Sequence, residues 1–462
     1  MADFWATLSL DSGVVSPRHG ARRRLAAALR DAVRDGSLAP GTRLPSSRRL
    51  AEQLGVARNT VADSYTDLIA EGWLVARQGS GTTVAEVVAA RATAPGPRPP
   101  ESDALSLRSP VLLGGPDLAA FPRMAWVKAV RRAVASAPPH VFGHGDPLGL
   151  PELRTVLADH LTRTRGVQVH RERLMICGGV TDALAILGSV LSRRGTINVA
   201  VEPLGLSSHW KALTAAGART SPLSMETGGV VVPAETANAV LLTPPHLFPI
   251  GTTPPRDHRA AVVDWARRTG GFILENDCDG EFQYDRHSIG ALQSLDPDHV
   301  VYMGSVDKSL APGLCLGWMV LPFALVDESA EVKKERDTCG IIDQLTLAEF
   351  LASGAYERHV RAARRRYRSR REALLAAVTQ RASGVHVTGA AAGLHAVLSL
   401  PDGTEQQVLK ATTARGIEVA PLAQFRHDDA TMTTADFVVF GYGSPSDDAW
   451  PRTLASLARA LP

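Results

Sequence analysis

Apolar residues near the N-terminus recur with the period of an amphipathic helix. Within residues 22–34 (RRRLAAALRDAVR), Leu25, Leu29 and Val33 fall at positions i, i+4 and i+8, so they share one helix face. The following segment, DGSLAPG at 35–41, combines the glycine and proline residues that end helices and form turns. The pattern therefore predicts a first helix that ends near residue 34.

Two more helices are predicted next, separated by a tight turn. Ser46 is a suitable N-cap because its hydroxyl can accept a hydrogen bond from a free amide in the first turn of a helix over 47–54. Gly55 marks the turn before a second helix over about 57–71. The apolar positions of that second helix are Val61, Tyr65, Leu68 and Ile69.

A hairpin and a linker follow these helices. Residues 72–75 (GWLV) predict a strand, and 77–82 (RQGSGT) predict a glycine-rich hairpin tip before Thr83-Val84. Helix, turn, helix and hairpin in this order are typical of a winged helix-turn-helix. Residues 86–110 are rich in alanine and proline without a sustained period, which predicts an extended, semi-rigid linker.

The rest of the chain alternates short apolar runs with helical patterns. The runs that predict strands are 174–176, 197–201, 239–242, 271–274 and 300–303. Apolar strands between helices of this kind predict an α/β fold with a mostly parallel sheet. Ligands of such sheets bind at the carboxyl ends of the strands, so the residues that follow these runs are the candidates for chemistry.

Composition excludes several classes of protein. Of 462 residues, 45% are hydrophobic and 21% charged, which is ordinary for a globular protein and too apolar for a disordered one. No apolar run is long enough for a membrane span, and the first thirteen residues carry no basic residue, unlike a secretory signal. The four cysteines form no C-x-x-C pair, so no disulfide framework and no metal site are predicted. A cytoplasmic protein is expected.

Charge is unevenly distributed. Residues 15–85 contain eleven arginines against six acidic residues, whereas the chain after residue 85 is close to neutral. A basic segment favours a polyanionic partner, although a solvated arginine-rich surface would give the same count.

The N-terminal motifs decide between these interpretations. The run GTRLPSSRRLAEQLGVARNTVADSYTDLIAEGWLVARQGSGTTVA, residues 41–85, closely resembles the DNA-binding domain of GntR-type transcription factors. Its second helix opens with hydrogen-bonding side chains that could reach base edges and phosphates. The residues that the resemblance assigns to DNA contact, to the helix cap and to the wing are Arg43, Ser46, Arg48, Arg58, Asn59, Thr60, Gly79 and Gly81.

The remainder resembles fold-type I aminotransferases, and the whole chain is similar to MocR-type regulators of the GntR superfamily. The stretches that carry this resemblance include GGPDLAAFPRMAW, GDPLGLPELR, TPPHLFPIG, ENDCDGEFQYD and DKSLAPGLCLGW. The resemblance implies a DNA-binding domain at 14–85, a linker at 86–110 and an aminotransferase-like domain at 111–462 with a smaller C-terminal α+β subdomain. It also implies a homodimer, pyridoxal phosphate bound through Lys308, and a small-molecule effector.

Several positions depart from the pattern of that family. The aspartate that pairs with the pyridine nitrogen aligns with Asn276, and the tyrosine that bonds the ring hydroxyl aligns with Cys278. The phosphate-binding arginine aligns with Cys315, and the serine before the lysine aligns with Asp307. An asparagine cannot hold a pyridinium charge as a carboxylate does. Each unit of lost positive or added negative charge would disfavour a phosphate by about 1–4 kcal/mol.

Aligned position predicts which residues line the altered pocket. The candidates are Lys308, Asp307, Ser305, Asn276, Cys278, Cys315, Gly179, Val180, His144, His246 and Leu206. Cys278 and Cys315 could also form a redox or metal pair, although two small replacement residues is the simpler interpretation. The arginine-rich run 361–372 is either a second nucleic-acid contact or a solvated helix face.

The sequence therefore predicts a dimeric, DNA-binding transcriptional regulator whose aminotransferase-like domain senses a small molecule. No catalytic residue is assigned, because the altered pocket disfavours transamination and also weakens the expectation of pyridoxal phosphate. Two alternatives stay open. One is a MocR-type sensor that still depends on pyridoxal phosphate, holding the phosphate through backbone amides at a helix N-terminus. The other is an active aminotransferase that has acquired a DNA-binding arm.

Overall fold

The structure is a computed structural model of the chain. It describes residues 21–77, 81–85, 113–195, 197–226, 229–244, 246–252, 255–284, 290–336, 339–382 and 384–462. The described residues fall into two compact units, one before and one after residue 106. The predicted linker and the acidic N-terminal residues lie outside the described residues.

The N-terminal unit has the predicted order of three helices and a hairpin. Its elements are α1 (Ala21–Arg34), α2 (Ser47–Leu54), α3 (Arg58–Ala70), β1 (Leu74–Arg77) and β2 (Gly81–Val84). The two strands pair antiparallel. Leu25, Leu29, Leu50 and Val61 are buried together in the core of this unit, which is the expected result of burying the apolar face of each amphipathic helix.

One detail of the apolar pattern in α3 was wrong. Val61, Tyr65 and Leu68 are buried, but Ile69 is 36% exposed. Positions 61, 65 and 68 follow the i, i+4, i+7 spacing of a single helix face, whereas Ile69 lies one residue further around the helix and at its edge.

The second unit is built on a seven-stranded sheet. Its strands are β3 (Leu174–Cys177), β4 (Asn198–Val201), β5 (Arg219–Pro222), β8 (Ala239–Leu242), β9 (Phe272–Asn276), β10 (Val300–Ser305) and β11 (Gly317–Val320). The strand order is β3-β11-β10-β9-β8-β4-β5. Only β11 runs antiparallel to its neighbours in this sheet, so the predicted mostly parallel sheet is confirmed. A separate two-stranded ribbon consists of β6 (Met225–Glu226) and β7 (Gly229–Val230).

Helices connect and cover the strands of this sheet, as crossover connections between parallel strands require. The helices are α4 (Arg123–Ser136), α5 (Pro151–Arg165), α6 (Val180–Arg193), α7 (Ser207–Ala215), α8 (Arg256–Thr269), α9 (Phe323–Lys334) and α10 (Ile341–Ala352). Leu184, Ile186 and Leu187 of α6 are fully buried against the sheet.

A long helix leads into the smaller C-terminal part of the unit. The elements there are α11 (Ala355–Arg381), β12 (His386–Thr388), β13 (His395–Ser399), α12 (Glu405–Thr413), β14 (Val419–Pro421), β15 (Phe437–Gly441) and α13 (Trp450–Ala458). The four strands form an antiparallel sheet in the order β12-β13-β15-β14, which confirms the predicted α+β subdomain. Within the described ranges, no helix combines the length and apolar character that crossing a bilayer requires.

A close backbone approach positions the start of α6. A Cβ atom placed on Gly317 in β11 would lie 2.6 Å from the Cα of Gly179, a distance that real Cβ atoms do not show. Gly179 is the residue before α6 and has a φ of 109°, a left-handed value that favours glycine. Two glycines therefore let the N-terminus of α6 approach the sheet beside β11.

Candidate ligand cavity and DNA-binding surface

The N-terminal end of α3 presents the polar side chains expected of a recognition helix. Arg58 and Asn59 are the first two residues of α3 and are exposed, and Thr60 is half-buried. Ser46 caps α2 by accepting a hydrogen bond from the backbone N–H of Arg49 at 3.3 Å.

A second arginine lies beside the wing. Arg43 pairs with Thr83 in an isolated antiparallel bridge, and its guanidinium Nε lies 3.2 Å from the position that a Cβ on Gly81 would occupy. Gly81 has a φ of 88°. A side chain at position 81 would therefore both strain the backbone and displace Arg43. Arg48 is exposed in α2, 3.3 Å from Glu52, and Gly79 lies outside the described residues.

Other basic residues of this unit have structural partners. Arg22 of α1 donates from Nε to Asp67 of α3 at 2.7 Å, and Arg30 of α1 donates from Nη2 to Glu71 at 2.7 Å. These pairs join α1 to α3, so part of the basic charge of the segment belongs to its fold.

The second unit contains a cleft at the carboxyl ends of its parallel strands, where the sequence predicts a ligand site. It encloses roughly 1100 Å³, including the solvent at its mouth. It opens at the carboxyl ends of β4, β8, β9 and β10 and at the N-terminus of α6. Its lining includes seven of the residues that were predicted to line a pocket from their place in the family pattern: Val180, Leu206, His246, Asn276, Cys278, Asp307 and Lys308.

Lys308 is held in an ion pair inside this cavity. Its Nζ donates to Oδ1 of Asp279 at 2.7 Å, and Oδ2 of Asp279 lies 3.1 Å from Nδ1 of His246. Burial alone would raise the pKa of Asp279, but the Lys308 charge and the His246 contact together lower that pKa well below its usual range. Asp279 is therefore an ionised carboxylate that holds both side chains in place.

Two further histidines beside this group are neutral at physiological pH. Burial, aided by the charge of Lys308, lowers the pKa of His395 to about 3. The Nε2 of His395 lies 3.0 Å from the carbonyl oxygen of Pro249 and donates to it. Burial and the Lys308 charge likewise lower the pKa of His209, which lines the cavity, to about 4.

Asp307 brings a carboxylate to the N-terminus of α6. Its Oδ2 lies 3.7 Å from the position that a Cβ on Gly179 would occupy. Burial raises the pKa of Asp307 to about 6, against the opposing effects of the Ser305 hydroxyl and the Lys308 charge. The amides and partial positive charge of a helix N-terminus attract anions. In this protein the carboxylate of Asp307 is an anion that the chain itself places beside the N-terminus of α6.

Asn276 and Cys278 bond to each other. Oδ1 of Asn276 accepts from the backbone N–H of Cys278 at 3.3 Å and from its thiol at 2.7 Å. The backbone N–H can only donate, which identifies the accepting atom as oxygen and leaves the amide nitrogen for a group in the cavity. Burial raises the pKa of the Cys278 thiol to about 12, so this thiol is protonated and unreactive at neutral pH.

A buried glutamate forms another part of the wall. Glu202, directly after β4, accepts from the backbone N–H of Thr243 at 2.8 Å and from its hydroxyl at 2.6 Å. Burial raises the pKa of Glu202 to about 8 in spite of these hydrogen bonds. Glu202 is therefore largely protonated at neutral pH.

Four of the predicted pocket residues do not line the cavity. Gly179 is the residue before α6 and directly precedes the lining residue Val180. Ser305 lies behind the lining, where its Oγ accepts from the backbone N–H of Asp307 at 3.3 Å. His144 is exposed in a loop between α4 and α5. Cys315 is exposed and directly follows a 3₁₀ turn, with a φ of 50° at Cys315 itself. Its thiol contacts the carbonyl oxygen of Pro312 and does not face the cavity. The suggestion that Cys278 and Cys315 face one pocket was therefore wrong.

The described part of the chain holds no group of three or more His, Cys, Asp or Glu side chains placed to bind a metal.

Asp277 points away from the cavity, as alternation along a strand-like segment predicts. Its carboxylate accepts from Nε of Arg165 and from the hydroxyl of Tyr302, both at 2.7 Å. Asn276 faces the cavity instead.

The comparison of this sequence with the family pattern did not predict four polar residues of the site: Glu202, His209, Asp279 and His395. Asp279 lies in the ENDCDGEF run and Glu202 directly follows a strand, so both could have been found from their place at strand ends. His209 and His395 carried no comparable signal, because one lies in a helix and the other in the distant β13.

The arginine-rich run of α11 is largely engaged with the second unit. Arg370 is buried and donates to Asp117 at 3.0 Å and to Asp447 at 2.7 Å. Arg364 donates to the carbonyl oxygen of Glu281. These contacts favour a structural role for this part of the helix over a second nucleic-acid contact.

Both units match known families. The family of bacterial regulatory proteins of the gntR type matches residues 21–84, and the family of class I and II aminotransferases matches residues 113–435. The chain is 32% identical to the pyridoxine biosynthesis transcriptional regulator PdxR of Corynebacterium glutamicum, over 94% of each protein. It is also 32% identical to the probable rhizopine catabolism regulatory protein MocR of Rhizobium meliloti, over 91% of this chain and 90% of that protein. The chain belongs to the MocR-type regulators of the GntR superfamily.

Solved structures support the fold of the second unit in this MocR-type chain. An archaeal alanine:glyoxylate aminotransferase superposes with a TM-score of 0.66 at 22% identity, covering 75% of this chain and 88% of that one. Aspartate aminotransferase from Thermus thermophilus with maleate superposes with a TM-score of 0.63, also at 22% identity, covering 75% of this chain and 90% of that one. At this identity the likeness concerns the fold alone.

Proposed function

We propose that this protein is a homodimeric, DNA-binding transcriptional regulator that acts in the cytoplasm. In this proposal residues 14–85 bind an operator, residues 86–110 link the domains, and residues 111–462 dimerise and bind a small molecule in the cavity around Lys308. The aminotransferase-like domain neither catalyses transamination nor uses pyridoxal phosphate. The observation that carries this last part is the carboxylate of Asp307 at the N-terminus of α6.

DNA contact is assigned to α3 and the wing. The exposed side chains of Arg58 and Asn59 at the start of α3 suit base-edge and phosphate contacts in a major groove. Arg43, beside the wing, and Arg48, on α2, suit contacts to the phosphate backbone. Ser46 acts indirectly by capping α2.

The cavity does not fit pyridoxal phosphate. A phosphate at the N-terminus of α6 would meet the carboxylate of Asp307, and two unit charges of like sign about 4 Å apart repel by about 4 kcal/mol at an effective dielectric constant of about 20. None of the cavity-lining residues among those described is an arginine, although the chain has 44. No bidentate cation therefore compensates that repulsion.

The ring of the cofactor would also lack its partners. Asn276 can offer an N–H donor to a pyridine nitrogen, but an amide cannot neutralise a pyridinium cation. Nζ of Lys308 already donates to the buried Asp279 at 2.7 Å, so a covalent bond formed at this nitrogen would break the ion pair and leave a buried carboxylate without its partner. Electron-sink chemistry therefore has no support from the residues of this cavity.

One observation favours a second candidate function. Lys308 lines the cavity and is the single lysine among the lining residues described, as a sensor that still depends on pyridoxal phosphate would require. A visible absorbance spectrum of the purified protein with added pyridoxal phosphate, beside a Lys308→Ala control, separates the two candidates. We expect no new visible band in either protein. A band in the wild type that is absent from Lys308→Ala would establish the cofactor-dependent sensor.

The regulator itself is tested by a gel shift on the intergenic DNA upstream of its gene at several salt concentrations. We expect a specific shift that Arg58→Ala weakens by about 1–3 kcal/mol if Arg58 reads a base, while Arg43→Ala lowers the salt slope by about one. Arg452→Ala removes an exposed charge from α13 of the second unit and is the matched control. No specific shift at moderate salt would refute the regulator.

A further inference from the structure

We propose that the cavity around Lys308 takes an organic cation, a small amine with an apolar body, and that the carboxylate of Asp307 binds its charged group. This inference rests on the proposed function that the cavity binds a small molecule. It names the class of that molecule from the charges and surfaces of the walls.

The positive charge of Lys308 is already neutralised. Lys308 is paired with Asp279 at 2.7 Å, and Nδ1 of His246 lies 3.1 Å from the same carboxylate. His209 and His395 are neutral because burial lowers the pKa of each well below neutrality. The walls therefore offer little to a phosphate or a carboxylate ligand.

The carboxylate of Asp307 lies beside the N-terminus of α6, but no ion pair joins it to a side chain that the structure describes. Lys308, the adjacent cation in the chain, gives its hydrogen bond to Asp279 instead. The raised pKa of Asp307 shows that burial makes its ionised form unfavourable in the free protein. A cation in the cavity would supply the missing partner, because buried charges are stable when they are paired.

Glu202 adds a second acidic group that responds to a cation. At neutral pH this carboxyl is largely protonated. A positive charge in the same cavity favours the ionised form of a neighbouring acid. Binding of a cation is therefore expected to release protons from Glu202, which gives the proposal a signature that a neutral ligand lacks.

The remaining walls suit an apolar body of modest size. Leu206, Trp210, Leu241 and Phe248 line the cavity. Aromatic faces contribute cation–π attraction as well as apolar contact. A zwitterionic amino acid fits less well, because its carboxylate would have to compete with Asp279 for Lys308.

The test is isothermal titration calorimetry on the full-length protein with three probes of similar shape. The probes are 2-phenylethylamine, the neutral 2-phenylethanol and the anionic 3-phenylpropionate. We expect the amine to bind most tightly, and to bind at least tenfold more weakly to Asp307→Asn. Asp159→Asn neutralises an exposed carboxylate on α5 and is the matched control, with unchanged affinity expected. In the wild type, affinity for the amine should fall as the pH is lowered through about 6, where Asp307 becomes protonated.

Each other outcome of the calorimetry overturns the inference. The gel shift tests DNA binding independently, so failure of the ligand inference can be told apart from failure of the proposed regulator function. Tighter binding of 3-phenylpropionate or of inorganic phosphate would leave a ligand cavity but refute the cationic class. Equal affinity of wild type and Asp307→Asn for the amine would refute the role of Asp307. Binding of none of the probes would refute both the ligand class and the ligand cavity, whereas a specific DNA shift under the same conditions would leave the regulator standing.

Discussion

Neutralising Asp307 should make this protein more stable at neutral pH. The pKa of Asp307 is raised from 3.8 to about 6, and burial is the largest cause. Each pKa unit corresponds to about 1.4 kcal/mol, so ionised Asp307 costs the folded state about 3 kcal/mol. Asp307→Asn keeps the shape of the side chain and removes this cost. The free energy of unfolding should therefore rise by up to about 3 kcal/mol.

The pH dependence has a definite sign. Between pH 3.8 and about 6 the folded chain retains a proton on Asp307 that the unfolded chain releases. The contribution of this group to stability is thus present below pH 3.8 and is lost as the pH rises through about 6. The stability difference between Asp307→Asn and wild type should be largest above about pH 7 and close to zero near pH 4.

Urea titrations of both proteins at these two pH values measure the difference, and Asp279→Asn provides a matched contrast. Asp279 is also a buried carboxylate of this cavity, but its pKa is lowered because it pairs with Lys308 and His246. Asp279→Asn leaves the Lys308 ammonium without its partner and should lower stability by about 3–5 kcal/mol. The reasoning is wrong if Asp307→Asn is no more stable than wild type at neutral pH, or if both variants change stability in the same direction.

Three further substitutions or labelling experiments test other parts of the structure. Ser46→Ala removes the N-cap of α2 and should destabilise the N-terminal unit by about 1 kcal/mol, measured by hydrogen exchange of its amides. Gly317→Ala places a Cβ 2.6 Å from a backbone atom of the loop before α6 and should cost about 1–3 kcal/mol in urea titrations, whereas Gly313→Ala, with open space around it, should cost far less. Thiol labelling of the native protein followed by mass spectrometry should modify the exposed Cys315 and spare Cys278, whose pKa is about 12; the reverse order would contradict the placement of both.

The local patterns of the chain were sufficient for most of the fold. The N-cap at Ser46, the turn at Gly55 and the apolar spacing of α3 are local signals, and they predicted the helix-turn-helix close to its observed bounds. The parallel sheet was equally predictable, because buried strands between helices are continuous apolar runs. The exposure of Ile69 was the exception, since one residue decides between the edge and the centre of a helix face.

The cavity could be only partly predicted. Strand ends and aligned position found Lys308, Asp307, Asn276 and His246, because the carboxyl ends of parallel strands meet at one edge of a sheet. Position alone could not exclude Cys315, whose exposure depends on one left-handed residue after a 3₁₀ turn.

What the tertiary structure alone decided was the pairing of charges. Lys308 and Asp307 are neighbours in the sequence, yet Lys308 pairs with Asp279, which lies 29 residues away in the chain. The neutral state of His395 and His209 depends on burial by elements distant in sequence. Ionisation depends on the solvent exposure and the partners that a side chain has after folding. The sequence therefore determined which ionisable residues the chain carries, and their packing determined which of them are charged in the cavity.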